Sequence, residues 1–274
     1  IGSLNYWEIL KQLNWVRIRK EAKNLPLHDY DLILSDYEFI SCYAAKVKRL
    51  PLVHIGHQAS FASDRVPRPL KKSLIGEFIL KNYCKSKVQI GYHFHLYEDW
   101  ILPPVIKTQI WNSYPTDKGH VTVYLPQYSR KEIHRYLFML DGIKFEIFHK
   151  EVKKEEVEFN ICWKPIDNES FTQSMINSTG VLTGAGFETP AEALFLKKKL
   201  MVIPIRGQYE QLCNAAALSQ LGVEVAEKLD IEFGIRLKKW LKRTQMGQKE
   251  INFLSTEESV KSAMAWITKS LPMK

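Results

Sequence analysis

Residues 179–194 read Thr179-Gly180-Val181-Leu182-Thr183-Gly184-Ala185-Gly186-Phe187-Glu188-Thr189-Pro190-Ala191-Glu192-Ala193-Leu194, and the chain runs on through Leu200-Met201-Val202-Ile203-Pro204 to Gln208, Glu210, Gln211, Asn214 and Ala215. The order is strand, glycine turn, helix, strand, polar loop, helix. Val181 and Leu182 end a short buried strand, and Leu200 to Ile203 form the next. Gly184 and Gly186 predict a tight turn with φ > 0 and a close backbone approach. Thr189 suits the N-cap, Pro190 the first helical position, and Ala191 to Leu196 carry the helix. A helix N-terminus behind such a turn offers bare N–H groups and partial positive charge to an anion, typically phosphate. Glu192 can accept hydrogen bonds from sugar hydroxyls. Gln208, Glu210 and Gln211 stand at the carboxyl end of the sheet, where open α/β folds bind ligands.

A plain βαβ unit requires neither that Glu nor the later Gln and Asn-Ala. Gly186, Thr189, Glu192, Pro204, Gln211, Asn214 and Ala215 together resemble the donor-binding signature of two-domain (GT-B) glycosyltransferases. The likeness is to the bacterial transferase that adds N-acetylglucosamine to the peptidoglycan lipid precursor, and to plant UDP-glycosyltransferases. It implies an α/β protein of two Rossmann-like domains, with parallel sheets facing a cleft. It also implies a nucleotide-sugar donor, UDP-linked, held mainly by the C-terminal domain.

The whole chain is compatible with that. Its 274 residues suit two domains. The composition, 45% hydrophobic and 25% charged, is that of a globular protein. No apolar run reaches the ~20 residues that span a bilayer, and the opening residues are not a signal peptide. The chain opens on Ile1 rather than Met, so its natural start is expected to lie upstream. Cys42, Cys84, Cys162 and Cys213 show no CxxC spacing, and reduced, mostly buried thiols in a cytoplasmic protein are expected. The formal net charge of +9 raises nucleic acid or an anionic membrane as partners. No recognition-helix, zinc-finger or RNP pattern supports nucleic acid. Peripheral membrane contact stays open and suits a lipid-linked acceptor.

Alternating strands and helices predict a parallel sheet in the first part. A helix is expected over 4–24, strands over 31–36 and 51–55, and a helix over 40–48. In the plant enzymes an Asp at the end of the strand matching 31–36 orients a catalytic His, and Asp36 holds that place. The Gly-rich turn that would carry the His partner is absent from the sequence. His57, in Gly56-His57-Gln58, is a candidate general base or acceptor contact, since imidazole titrates near neutrality. The bland alternative is a histidine capping by hydrogen bonds. Glu38 is a second candidate base. Asp64 to Lys72, rich in Pro and Arg, reads as a mobile loop. His93-Phe94-His95 alternate as metal ligands on a strand would, but no third ligand follows, and an ordinary surface strand is expected. Linker composition over 112–119 places a boundary near 115/116. Residues 1–115 then form the acceptor domain, lacking its first βα unit, and 116–274 the donor domain, its last helix crossing back.

In the second domain, strands are expected over 120–125, 144–148 and 159–163, with a charged, solvated turn at 150–158. Pro126-Gln127-Tyr128-Ser129-Arg130 replaces a loop that is glycine-rich in many relatives. Ser129 can cap the helix that follows, and Arg130 can pair with phosphate. The resemblance places uracil at Trp163-Lys164-Pro165-Ile166, with Trp163 either stacking on the base or serving as core, and the Ile166 main chain reading the base edge. Diphosphate is assigned to Gly184, Ala185, Gly186, Phe187 and Thr189, ribose to Glu192, and the sugar to Glu210 and Gln211. No Asp-x-Asp lies at a donor position, so activity without metal or further cofactor is expected. Two rivals remain, a nucleotide-sugar epimerase and a non-catalytic donor-binding subunit. Sugar identity, acceptor and stereochemical outcome are not encoded in any motif.

Overall fold

The computed structural model describes residues 14–138, 140–243 and 251–271. Among these, the chain forms two compact units. The first contains 14–105 with 251–271, and the second 106–243. The opening part of the helix expected over 4–24 lies outside the described residues. What is described of it is Trp15–Asn24, capped by the Asn14 side chain.

The first unit is built on four parallel strands in sequential order: β1 (Ile33–Ser35), β2 (Leu52–Gly56), β3 (Val88–Tyr92) and β4 (Ile101–Leu102). Both faces of a parallel sheet need covering. On one side Val53, Val88 and Ile90 pack with Ala263 and Ile267 of the final helix, Thr256–Ser270. That helix starts sharply because Ser255 and Glu258 form a reciprocal capping box. It is fixed to β3 by a 2.8 Å bond between the Tyr92 and Ser259 hydroxyls. A second cluster joins Ala22, Leu27, Ile33, Ala44 and Ala45.

Several expectations for this unit are corrected. Cys42 and Cys84 are joined in a disulfide between the helix Phe39–Lys48 and the chain just past the helix Leu74–Asn82. The two lie 42 residues apart, and no spacing rule pairs them. The argument from thiols to a reducing compartment therefore falls. Within 64–72, an irregular stretch as expected, the Arg68 guanidinium bonds the Phe61 and Val66 carbonyls and pairs with Glu77 at 2.6 Å. His93 is fully buried beyond the end of β3, not on a surface strand.

The second unit has seven strands: β5 (His120–Tyr124), β6 (Lys144–Phe148), β7 (Glu156–Glu158), β8 (Ile161–Lys164), β9 (Gly180–Thr183), β10 (Lys199–Val202) and β11 (Glu224–Val225). Their order is β11-β10-β9-β5-β6-β8-β7, all parallel except β7 against β8. The edge strand β7 occupies the run expected as a charged turn. Its Glu-Val-Glu alternation is too short to read as a strand unaided. The residues of linker composition are bound to this unit. The Thr116 and Lys118 N–H groups donate to the Ile176 and Asn177 carbonyls at 3.1 and 2.8 Å.

The order of strands decides where a ligand can bind. From β5 the chain winds outward through β6 and β8, and from β9 through β10 and β11, in the opposite direction. β5 and β9 are hydrogen-bonded neighbours, so the connections leaving their carboxyl ends part from each other. Such a switch point opens a crevice at the sheet's carboxyl edge. The strands below are held by a core of Val121, Val123, Phe145, Ile147, Trp163, Leu182 and Met201, with Ile133, Leu137, Phe233 and Leu237 from the covering helices.

Candidate active site

The connection leaving β9 is the 184–187 turn, and the helix behind it is Glu188–Phe195. The cap is Phe187, not Thr189, and it makes no side-chain capping bond. Thr189 and Pro190 are therefore the second and third helical residues. Helix entry is set earlier than composition suggests because the turn is braced from outside. Gln211, on the helix Tyr209–Gln220, accepts from the N–H groups of Ala185 (3.2 Å) and Ile205 (2.9 Å) through its Oε1. Asn214 donates from Nδ2 to the Ala185 carbonyl at 3.2 Å. Gln and Asn thus hold the two loops at the carboxyl ends of β9 and β10.

Neither Gly184 nor Gly186 has a positive φ, contrary to expectation. Their value is spatial. A Cβ on Gly184 would touch Gln211 Oε1 at 3.4 Å, whereas one on Gly186 would meet nothing within 4 Å. Gly186 therefore leaves the main chain bare beside the first turn of an uncapped helix. Half-buried Thr189 and Glu210 stand at the starts of the helices Glu188–Phe195 and Tyr209–Gln220.

Glu192 sits one turn further in and is 8% exposed. It does not face bulk solvent. Its Oε1 lies 3.3 Å from Lys107 Nζ. Burial holds its carboxyl above the usual range, Lys107 offsetting this in part and Glu188 adding to it. Lys107 has no signal in the sequence, since its partner lies 85 positions away.

Across the switch point, the loop after β5 carries Gln127. Its Nε2 donates to the Ile203 carbonyl at 3.2 Å, while its buried Oε1 has no partner among the described residues. A buried acceptor without a donor is uncommon and costly, and this one lies at the carboxyl edge of the sheet, beside the switch point. Arg130 is not available to phosphate. It bonds Glu156 and Glu158 at 2.7 and 3.0 Å and lies over the Trp163 ring at 4.8 Å.

Trp163 is a core residue. It is fully buried and donates from its indole N–H to Glu158 at 3.1 Å. With Arg130 over the ring, no face is left for a base, and the stacking reading is withdrawn. Ile166, three residues on, is exposed beyond the end of β8.

In the first unit, Asp36 and His57 stand just past the carboxyl ends of neighbouring strands β1 and β2. Asp36 packs on Gly56, whose φ is +135°. A Cβ there would fall 2.1 Å from Asp36 Oδ1. Burial raises the Asp36 carboxyl, and His57 partly offsets this. His57 Nδ1 lies 2.8 Å from the Tyr92 carbonyl. A carbonyl only accepts, so Nδ1 carries the proton and Nε2 is the basic nitrogen. Glu38 is a helix cap: its carboxylate takes the N–H groups of Ile40 (2.9 Å) and Ser41 (2.6 Å). Burial alone would raise its pKa, but these bonds leave it below the usual value. That carboxylate is committed and is not a base. Among the described residues no group of three or more His, Cys, Asp or Glu side chains can hold a metal ion. No described helix is long and apolar enough to cross a membrane.

A family model described as glycosyl transferase family 1 matches residues 12–244. No curated protein sequence matches the chain. Among solved structures it is similar to LpCGTa in complex with UDP, with a TM-score of 0.58 and 11% identity over 99% of this chain and 80% of that one. It is also similar to the glycosyltransferase SnogD from Streptomyces nogalater (TM-score 0.50, 15% identity, 91% and 77% covered). A third is the glycosyltransferase VinC in complex with DTDP (TM-score 0.52, 11% identity, 91% and 75% covered).

Proposed function

Because the chain belongs to glycosyl transferase family 1 and has the GT-B fold, it is a nucleotide-sugar-dependent glycosyltransferase, and we propose that its donor is UDP-linked and bound at the β5/β9 switch point. In this reading the 184–189 turn and the start of the helix Glu188–Phe195 face the diphosphate, with the Ala185 N–H already held by Gln211. Glu192 accepts from the ribose hydroxyls, the Ile166 main chain meets the base, and Glu210 and Gln211 meet the sugar. Gln211 Oε1 already holds two main-chain N–H groups, which leaves its amide N–H groups for the ligand. The observation that carries the reading is Glu192, a carboxylate kept inside the protein directly behind an uncapped helix start.

The chemistry follows from those parts. The acceptor oxygen forms a bond to the anomeric carbon, the bond from that carbon to the diphosphate oxygen breaks, and the acceptor proton passes to a base. Charge builds on the leaving diphosphate, where preorganised N–H dipoles stabilise it without rearranging. This leaves no step that needs a metal ion. His57 Nε2, with Asp36 beside it, is the proposed proton acceptor. The acceptor is proposed to be lipid-linked. Leu70, Leu74 and Phe78 are exposed beside Lys71 and Lys72, a combination suited to an anionic membrane surface.

Thermal-shift titration with UDP and UDP-sugars, repeated on Glu192→Ala, tests the donor site. Stabilisation by UDP in the parent and its loss in the variant are expected. Equal shifts in both proteins remove Glu192 from the site. Incubation with donor alone, followed by NMR, separates transfer from isomerisation.

A further inference from the structure

The short helix Thr108–Trp111 lies against the donor-site helix Glu188–Phe195 at two points, four residues apart on one and three on the other. Trp111 stacks on Phe195, ring centroids 5.1 Å apart. Lys107, which caps the short helix, reaches Glu192 at 3.3 Å and the Asn168 Oδ1 at 3.5 Å. The aromatic pair fixes the spacing of the helices, so the lysine's approach to the carboxylate is not that of a loose surface side chain. The Lys107 side chain is 32% exposed and that of Glu192 11%. One partner is therefore inside and the other reaches in from the rim.

We propose that Lys107 is a positioning residue for donor binding, holding the Glu192 carboxylate ionised and aimed so that it can accept two hydroxyl groups of the nucleotide's ribose. This rests on the donor reading above. A vicinal diol offers two O–H donors and needs an acceptor-only partner, which a carboxylate is and a carboxylic acid is not. Buried without a cation, Glu192 would drift toward the acid form. Among the described residues, Lys107 is the cation that acts on Glu192. Strand β9 carries no ionisable side chain, Lys199 of β10 donates to the Leu241 carbonyl, and Glu188, on the same helix, opposes ionisation. Lys107 opposes both burial and Glu188 and offsets them in part, the net shift staying upward.

The test uses UDP as the probe, with affinity measured by calorimetry from pH 5 to 8 for the parent, Lys107→Met, Lys107→Arg and Glu192→Ala. Lys107→Met is expected to weaken UDP at pH 7 by roughly ten-fold or more, equivalent to a loss of about 1.4 kcal/mol. Its acid limb is expected to move to higher pH, because the carboxylate is protonated sooner. Lys107→Arg should recover most of the affinity and the parent's pH profile. A merely structural lysine would change stability without moving that limb. Parental affinity and pH profile in Lys107→Met, with Glu192→Ala weakened, overturn the inference alone. Unchanged affinity in Glu192→Ala overturns the donor reading and this inference with it. If Lys107→Met does not fold, an arginine variant that folds yet binds no better than Glu192→Ala also overturns it.

Discussion

Gln211 Oε1 accepts hydrogen bonds from the Ala185 and Ile205 N–H groups at 3.2 and 2.9 Å, so one amide oxygen holds the ends of β9 and β10 in register with each other. Gln211→Ala leaves two main-chain donors without an acceptor. A loss of roughly 1–3 kcal/mol is expected by chemical denaturation, with a raised KM for the nucleotide-sugar. An unchanged KM would show that the loops keep their geometry without the brace.

Gly56 is the second pressure point. Its φ of +135° and the 2.1 Å at which an added Cβ would meet Asp36 Oδ1 are separate obstacles to a side chain. Gly56→Ala should cost about 1–3 kcal/mol for the backbone alone, plus whatever moving Asp36 requires. Adding Asp36→Ala should restore the steric part and not the backbone part. Full restoration by the second substitution would mean that the backbone carries no strain.

His54 sets an acid-side dependence of stability. It is 3% exposed, Nε2 lacks a partner among the described residues, and burial lowers its pKa to about 4. The folded protein holds it neutral while the unfolded chain binds a proton near pH 6.5. Its contribution is complete above that value and is lost as pH falls toward 4. The total is up to about 3 kcal/mol. Urea midpoints at pH 7 and 4.5 should differ, and His54→Asn should flatten the difference. An equal slope in the variant would place the dependence elsewhere.

Glu38 separates a cap from a base. Glu38→Ala should lower stability by about 1 kcal/mol and leave the pH profile of turnover where it was. His57→Gln, in contrast, should lower kcat by at least about 100-fold. A large kcat loss in Glu38→Ala at full stability would restore its candidacy.

The exposed Leu70, Leu74 and Phe78 predict sedimentation with vesicles containing anionic phospholipid and weak binding to neutral ones. Leu70→Ser with Phe78→Ser should abolish it without altering UDP affinity. Equal sedimentation of both proteins would leave the apolar side chains out of the contact.

Glu192 and the Gln211, Asn214 pair stand out in the sequence because their order behind a glycine turn, all local in the chain, resembles a known donor-binding pattern, while their roles rest on the proposal above. So do the parallel sheets, whose buried strands read as short apolar runs between helices. Glycine conformation was misjudged for a physical reason: composition permits φ > 0 but only the surrounding bonds demand it, and Gln211 holds this turn without it. Trp163 could not be placed from its motif, because a tryptophan at a strand end is core or platform according to what covers it, and Arg130 does. Lys107 beside Glu192, Cys42 bonded to Cys84, and Asp36 lodged on Gly56 join residues from 20 to 85 positions apart. Periodicity and capping act over a few residues. Contacts of that span exist only once the sheets have assembled and brought distant strand ends to one edge.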